Sequence, residues 1–203
     1  MPKTARGEKT LLKIFEASEI LFKEKGYYET SIIDIITLAK VSNGTFYNYF
    51  VDKISLFQYM LERYSYEIRK TSAVASSKYN TRYEKEFYGF KAYIEYIIEH
   101  PQAYCIIIQS MYVEPDFYKN YYENFSARYK NALENAVVNG EIHPCDTTLV
   151  SYMLMGISSF YGLKHVIFDQ NKEISENEIK KIFDILAKGL FTEKAYFKEE
   201  NLS

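Results

Sequence analysis

The chain has 203 residues, of which 26% are charged, and its formal net charge is −2 at pH 7. This length accommodates one helical domain of ordinary size with a small appended module. A charge so close to neutral excludes a broadly basic surface that binds nucleic acid by charge alone. Any affinity for DNA must therefore come from local charge and shape.

The cysteines and histidines do not form a recognisable chemical site. Cys105 and Cys145 lack metal-ligand spacing, and His100, His143 and His165 have no partners at ligand distances along the chain. Neither a nucleophile arrangement nor a phosphate-binding glycine loop is present, so we expect no metal, no cofactor and no enzyme activity. Without a signal peptide or an apolar run near 18 residues, we expect a cytoplasmic protein that does not contact the membrane.

The first predicted helix covers residues 8–25 and ends at Gly26. Its apolar positions follow helical spacing and are Leu11, Leu12, Ile14, Phe15, Ala17, Ile20, Leu21 and Phe22. Residues 1–13 also carry four cations against the single acid Glu8. This basic arm is expected either to lie along DNA phosphates or to be a solvated tail.

The segment 30–53 predicts two short helices around a tight turn. The first has Thr30 or Ser31 as its cap, and its apolar positions Ile32, Ile35, Ile36 and Ala39 form one buried face. The second begins at the cap Ser42, with Phe46 and Phe50 facing inward. The remaining side chains of this helix are presented outward, and they are Asn43, Gly44, Thr45, Tyr47, Asn48 and Tyr49. This outline is that of a helix-turn-helix that reads DNA.

The same segment resembles the DNA-binding region of the TetR family of bacterial transcriptional regulators. The matching positions are Val41, Ser42, Gly44, Thr45, Tyr47, Phe50 and Lys53. Lys40 departs from the pattern, because the family usually has glycine there. If Lys40 is left-handed, we expect a cost of roughly 1 kcal/mol, which the burial of Val41, Phe46 and Phe50 outweighs.

The resemblance implies a role in DNA binding for individual residues. Asn43 and Asn48 become the base readers, since asparagine suits adenine N6 and N7. Gly44 allows close approach to the groove, and Tyr47 and Tyr49 contact phosphates or thymine methyl groups. Thr45 and Lys53 contact backbone phosphate. The whole expected DNA-binding set is Thr30, Ser31, Ser42, Asn43, Gly44, Thr45, Tyr47, Asn48, Tyr49 and Lys53.

The rest of the chain predicts further helices and no sheet. One starts at the cap Asp52 and runs to about residue 70, and residues 71–81 are expected to form a loop or a frayed end. Five more are expected at 82–99, 101–112, 116–139, 146–168 and 175–191. The predicted fold is therefore all-α, with a three-helix DNA-binding module at residues 1–52 and a C-terminal helical bundle for ligand binding and dimerisation at 53–203.

Two sets of residues in the predicted bundle suggest interfaces. Members of the family dimerise through their last two helices, and the expected dimer residues here are Ser151, Met155, Ser158, Gly162, Ile179, Phe183 and Leu186, although a monomer core explains this pattern almost as well. The family also encloses a small molecule. Its expected lining is Tyr104, Ile108, Met111, Tyr122, Phe125, Tyr129, Met153 and Ile157, although ordinary core positions show the same pattern.

The expected function is that of a ligand-responsive transcriptional regulator, a repressor that binds a palindromic operator in double-stranded DNA as a homodimer. No carboxylate or cation lies clearly on the helix faces that carry this expected lining, so the expected small-molecule effector is apolar or aromatic. An alternative is a DNA-bound interaction protein whose C-terminal bundle binds a protein partner through exposed tyrosines such as Tyr118 and Tyr121.

Overall fold

The computed structural model describes residues 4–169 and 173–190, and this part of the chain is all-α. Its helices, in chain order, are α1 (Ala5–Glu24), α2 (Gly26–Glu29), α3 (Ile32–Ala39), α4 (Asn43–Tyr47), α5 (Lys53–Ser76), α6 (Arg82–Glu99), α7 (Pro101–Val113), α8 (Pro115–Val138), α9 (Thr147–Leu163) and α10 (Glu176–Lys188). The end of α9 continues as one π-helical turn, Lys164–Phe168. Within the described residues, no helix is long and apolar enough to cross a membrane.

Most helix ends lie where capping chemistry places them. Ser31 and Asp34 form a reciprocal capping box at the start of α3, and Asp52 forms another with Ser55 at the start of α5. Pro101 opens α7 and Pro115 opens α8, positions at which the missing N–H of proline costs nothing. These signals are local, which is why the predicted ends of the helices agree closely with the structure.

The loop predicted from residue 71 is wrong over its first half, because α5 continues to Ser76. Its small residues permit a close helix contact. A Cβ placed on Gly89 of α6 would lie 3.8 Å from both the Ser72 carbonyl oxygen and the Ser76 Cβ. The run rich in serine, alanine and threonine is therefore the surface against which α6 packs.

Two buried clusters organise the protein, and α7 contributes to both. The first joins α1, α3, α4 and the first half of α5, with Ala103, Ile106 and Ile107 of α7 closing it. The second joins α6, α7 and α10, and its buried members are Phe87, Phe90, Ile94, Ile97, Tyr104, Ile179 and Phe183. The N-terminal helices are therefore packed directly on the body of the protein.

The stripe of α9 predicted to meet a second subunit instead faces the interior of the same protomer. Ser151 is fully buried and hydrogen-bonds Ser126 of α8, and Met155 and Gly162 are also buried. A Cβ on Gly162 would lie 2.5 Å from Ile97 Cδ1, so the glycine allows α9 to approach α6 closely. The Ser158 hydroxyl donates to the Leu154 carbonyl of its own helix.

The same correction applies to α10. Ile179 and Phe183 are buried in the second cluster, whereas Leu186 is 39% exposed. Phe183 packs against the rings of Phe87 and Phe90, with centroids 5.3 and 5.7 Å away. Of the residues predicted for dimerisation, the structure therefore leaves only Leu186 substantially accessible. Helical spacing places Ser151, Met155, Ser158 and Gly162 on one side of α9, but it does not show whether that side faces inward or outward.

Candidate nucleic-acid interface

The turn between α3 and α4 is closed by a left-handed residue. Lys40 has φ 54°, the sole positive φ outside glycine among the described residues. The Val41 N–H donates to the Ile36 carbonyl at 3.1 Å, and the Lys40 N–H donates to that of Thr37 at 3.3 Å. These two bonds make up the Schellman arrangement that normally uses glycine. The sequence departure at Lys40 therefore leaves the turn intact.

The short helix α4 is held in place by its cap and by two phenylalanines. Ser42 Oγ accepts from the Thr45 N–H at 3.1 Å and shares a second hydrogen bond with the Thr45 hydroxyl at 2.8 Å. Phe46 is fully buried and Phe50 is nearly so, with their rings 5.8 Å apart. A five-residue helix is unstable alone, so this burial determines its position.

The outer face of α4 is accessible. Asn43, Gly44 and Asn48 are exposed, and Tyr47 is half exposed. No hydrogen bond between described residues uses the side chain of Asn43 or Asn48. A Cβ on Gly44 would meet no atom within 4 Å. The structure thus places these four predicted residues together on one surface.

Two other predicted DNA contacts are occupied inside the protein. Thr30 is 1% exposed, and its hydroxyl donates to the Gly26 carbonyl at 2.8 Å. The Tyr49 hydroxyl donates to the Gly7 carbonyl at 3.0 Å and thereby ties the end of α4 to the start of α1. Ser31 is exposed, but its hydroxyl already bonds the Asp34 carboxylate. Thr30 and Tyr49 therefore stabilise the module and are not presented to a partner.

Lys53, expected at a phosphate, is instead a structural clamp. Its Nζ donates to the Tyr27 and Thr30 carbonyls at 2.8 and 2.7 Å and lies 4.2 Å from the centroid of the Tyr27 ring. Burial lowers the pKa of Lys53, and the charge of Glu29 opposes that shift. Because Tyr27 belongs to α2 and Thr30 is its C-cap, the lysine connects α5 to the end of α2, just before α3.

We expect Lys53→Met to lower the free energy of unfolding by about 2 kcal/mol, because two hydrogen bonds from a charged donor are lost and two carbonyls lose their partner. The measurement is urea unfolding followed by circular dichroism. Lys13→Met, on the exposed side of α1, is the control and is expected to change stability by less than about 0.5 kcal/mol. A K53M protein as stable as the wild type would show that the clamp has no structural role.

One connection between the module and the body was not predicted. Gln109 of α7 accepts from the Tyr27 N–H through Oε1, and its Nε2 donates to the Phe22 carbonyl, both at 2.9 Å. The Phe22 carbonyl and the Tyr27 N–H lie on either side of Gly26, which has φ +80° and is the first residue of α2. Gln109 therefore satisfies the backbone at the break between the helices. A lone glutamine in an apolar helix gives no sequence signal for such a contact.

Four of the residues predicted to line a ligand site gather around α9. The Tyr104 hydroxyl donates to the Ser159 carbonyl at 2.6 Å, and the Tyr122 hydroxyl lies 3.5 Å from Ser159 Oγ. Ile108 and Ile157 pack against the second cluster. Met111 and Met153, by contrast, are 41% and 55% exposed and do not point inward. The predicted lining is thus only partly brought together.

The other two predicted lining residues, Phe125 and Tyr129, stack edge to face. Tyr129 also contacts a largely buried ion pair of α6. The Tyr129 hydroxyl donates to the Glu86 carboxylate, which is also paired with the Arg82 guanidinium. Burial raises the pKa of Glu86 to about 8. A carboxylate and a guanidinium of α6 therefore meet Tyr129 of the predicted lining, although neither belongs to that lining.

A surface cleft lies elsewhere on the body. It is lined by Thr71, Ala92, Glu95, Tyr96, Ile98, Glu99 and Ile174. None of the eight residues predicted to bind a ligand belongs to this lining. Ile98 and Ile174 are apolar and Glu95 and Glu99 are exposed acids, so the cleft differs in chemistry from the tyrosine-rich interior.

A short helix that follows a tight turn, with one side held by buried phenylalanines and the other side accessible, is the arrangement of a helix-turn-helix, the class of module that places one helix in the major groove of DNA. Residues 14–60 match the model of the tetR family of bacterial regulatory proteins. The match covers the helix-turn-helix of the chain, from the second half of α1 into α5.

Known regulators also resemble this chain in sequence or in fold. The HTH-type transcriptional regulator HbdR of Aromatoleum sp. (strain CIB) is 22% identical over 179 residues, covering 81% of this chain and 73% of HbdR. A TetR-family regulator from Syntrophomonas wolfei str. Goettingen superposes with a TM-score of 0.76 at 25% identity, covering 92% of this chain and 98% of its own. FadR from Bacillus subtilis, in complex with stearoyl-CoA, shares the fold with a TM-score of 0.76 at 18% identity, covering 89% and 99%.

Proposed function

We propose that this protein is a repressor that binds a palindromic operator as a homodimer through α4, and that a small effector releases it. The observation that carries the proposal is the accessible face of Asn43, Gly44, Tyr47 and Asn48 on a helix whose other side is buried. Two such helices, related by a two-fold axis, would contact successive major grooves about 34 Å apart. Ser42 and Thr45 would support this contact from the cap.

DNA binding is tested by replacing two neighbours on that face. We expect Tyr47→Ala to weaken binding to every duplex, because its exposed hydroxyl contacts phosphate, and Asn48→Ala to relax preference mainly at one base position. The measurement is fluorescence anisotropy with duplexes that differ at single base pairs. Unchanged affinity and unchanged preference in both variants would contradict the proposal.

The dimer is proposed to form through the exposed side of α9 and α10. Leu149 and Phe160 of α9 are 60% and 74% exposed, and Tyr152 and Met153 lie between them on the same side. Ile185 and Leu186 of α10 add exposed apolar surface, as does Phe168 after α9. Exposed large apolar side chains of this kind are typical of an interface between proteins. These residues replace the buried stripe that the sequence suggested.

We also propose that residues 1–52 form a DNA-binding domain and that residues 53–203 form a domain for ligand binding and dimerisation. The shared cluster through α5 and α7 supports communication between the two parts, since Ile106 and Ile107 pack with the DNA-binding helices. Tyr104, one turn earlier on α7, contacts Ser159 on α9. A ligand near Ser159 could thereby alter the placement of α4.

The effector is proposed to be a small apolar or aromatic molecule, with an acyl chain as one candidate because FadR of the same fold holds stearoyl-CoA. A thermal-shift screen with acyl-CoA esters and apolar aromatic compounds tests this, since a ligand of the native state raises the unfolding temperature. A true effector must also release operator DNA in the same buffer. If no compound in either class shifts the unfolding temperature, the alternative of a protein partner bound by the C-terminal bundle is favoured.

A further inference from the structure

The accessible face of α4 contains no positively charged side chain. Within residues 30–52 the only lysine or arginine is Lys40, which lies in the turn before the helix. Lys53, the next cation along the chain, donates to two carbonyls of its own protomer. Guanine presents two acceptors in the major groove and is most often read by arginine or lysine. This face therefore lacks the usual reader of guanine.

A reader of cytosine is missing as well. The cytosine amino group is a donor, and the carboxylates that read it are occupied near α4. Asp34 accepts hydrogen bonds from the Ser31 backbone and hydroxyl, and Asp52 accepts from the Ser55 N–H. Both acids therefore serve as helix caps. The side chains that remain for base edges are amides, a phenol and carbon surfaces.

Those side chains match adenine and thymine. Asn43 and Asn48 are exposed and have no hydrogen-bond partner among the described residues, and a carboxamide can pair with adenine N6 and N7 at once. Tyr47 and Val51 expose ring and methyl carbon, which suits the thymine methyl group. Gly44 adds no side chain that would hold the helix away from the groove.

We propose that the base pairs read by α4 are A·T pairs, with Asn43 and Asn48 contacting adenine and Tyr47 and Val51 contacting thymine methyl groups. The inference rests on the proposed function, because it assumes that α4 enters the major groove. Lys40 is assigned to backbone phosphate, where it adds affinity without selecting a base.

The test is selection of binding sites from random duplexes by the full chain. We expect inverted half-sites with A·T pairs at the positions contacted by α4. For Asn48→Ala, discrimination at one A·T position per half-site should fall about tenfold. Asn48→Arg should move that position toward G·C. Asn80→Ala, an exposed asparagine in the loop after α5, is the matched control and should select the wild-type sequence.

The outcomes separate the two proposals. Enriched sites with G·C at the α4 positions, unchanged in the two Asn48 variants, would overturn the A·T assignment while leaving sequence-specific DNA binding in place. No enrichment, together with no binding to any duplex, would overturn the proposed function and the assignment with it. Loss of A·T preference only in the asparagine variants of α4, and not in Asn80→Ala, would support both.

Discussion

Phe160→Glu is expected to convert the proposed dimer into monomers and to weaken operator binding by about 100-fold, the loss that follows when two linked contacts become one. Phe160 is 74% exposed and lies in the last turn of the apolar side of α9. In a dimer it would be covered, and a carboxylate there would lose its hydration without gaining a partner. Light scattering after gel filtration measures the mass, and fluorescence anisotropy measures operator affinity.

The matched control is Val74→Glu on α5, which is 54% exposed and lies away from α9 and α10 in the chain. It introduces the same charge at a similarly exposed apolar position, so we expect an unchanged dimer and unchanged affinity. A Phe160→Glu protein that remains a dimer would show that this side of α9 is not the interface. Unfolding of the variant is not expected, because the side chain has no buried contact to lose.

At pH 9, where Glu86 is ionised in the wild type, Arg82→Met is expected to lower the free energy of unfolding by about 3–5 kcal/mol, because it leaves the carboxylate buried without its cation. The side chains of Arg82 and Glu86 are only 14% and 17% exposed, and Tyr129 supplies the single remaining partner. Lys91→Met is the control on the same helix. Its partner Glu95 is 47% exposed, so that change is expected to cost less than about 0.5 kcal/mol.

The effect of Arg82→Met should also depend on pH. Burial raises the pKa of Glu86 to about 8, and the loss of the neighbouring guanidinium should raise it further. An acid whose pKa is raised by folding is tolerated while it is protonated and destabilises the fold as it ionises. The difference in stability between variant and wild type should therefore change little between pH 5 and pH 7 and grow above pH 8, where Glu86 ionises in the wild type. A double variant, Arg82→Met with Glu86→Leu, should recover much of the loss, and a difference that is constant with pH would contradict this account.

The helices were predictable because their signals are local. Caps such as Ser31, Asp52 and Thr81 and prolines such as Pro101 and Pro115 act within one turn of the chain. The error at residues 71–76 has a different origin. Small residues weaken the apolar pattern, but they also let α6 approach, and that contact depends on Gly89 far along the chain.

The candidate interface was predictable only in part. Spacing on α4 separated Phe46 and Phe50 from Asn43, Tyr47 and Asn48, and the structure has the same division. The roles of Thr30, Tyr49 and Lys53 were missed because their partners are backbone carbonyls, which no side-chain pattern reveals.

In the C-terminal bundle, too, the sequence does not reveal contacts between distant parts of the chain. The spacing of Ser151 and Gly162 places them on one side of α9, but the inward orientation of that side follows from the contacts of Ser151 with Ser126 and of Gly162 with Ile97. Arg82 and Glu86 have the spacing of an ordinary exposed ion pair one helical turn apart. Only the approach of Tyr129 from α8 makes them a buried cluster.

The affinity of Gly44→Leu for the selected operator tests most directly whether the outer face of α4 contacts DNA. A Cβ at this exposed position meets no atom within 4 Å, and leucine favours a helix over glycine by about 1 kcal/mol, so the variant should unfold no earlier than the wild type. In the groove, the added side chain would hold the helix away from the bases. We predict at least about a tenfold loss of affinity, a typical cost of one lost base contact. Wild-type affinity in this variant would contradict the assignment of α4 as the DNA-reading helix.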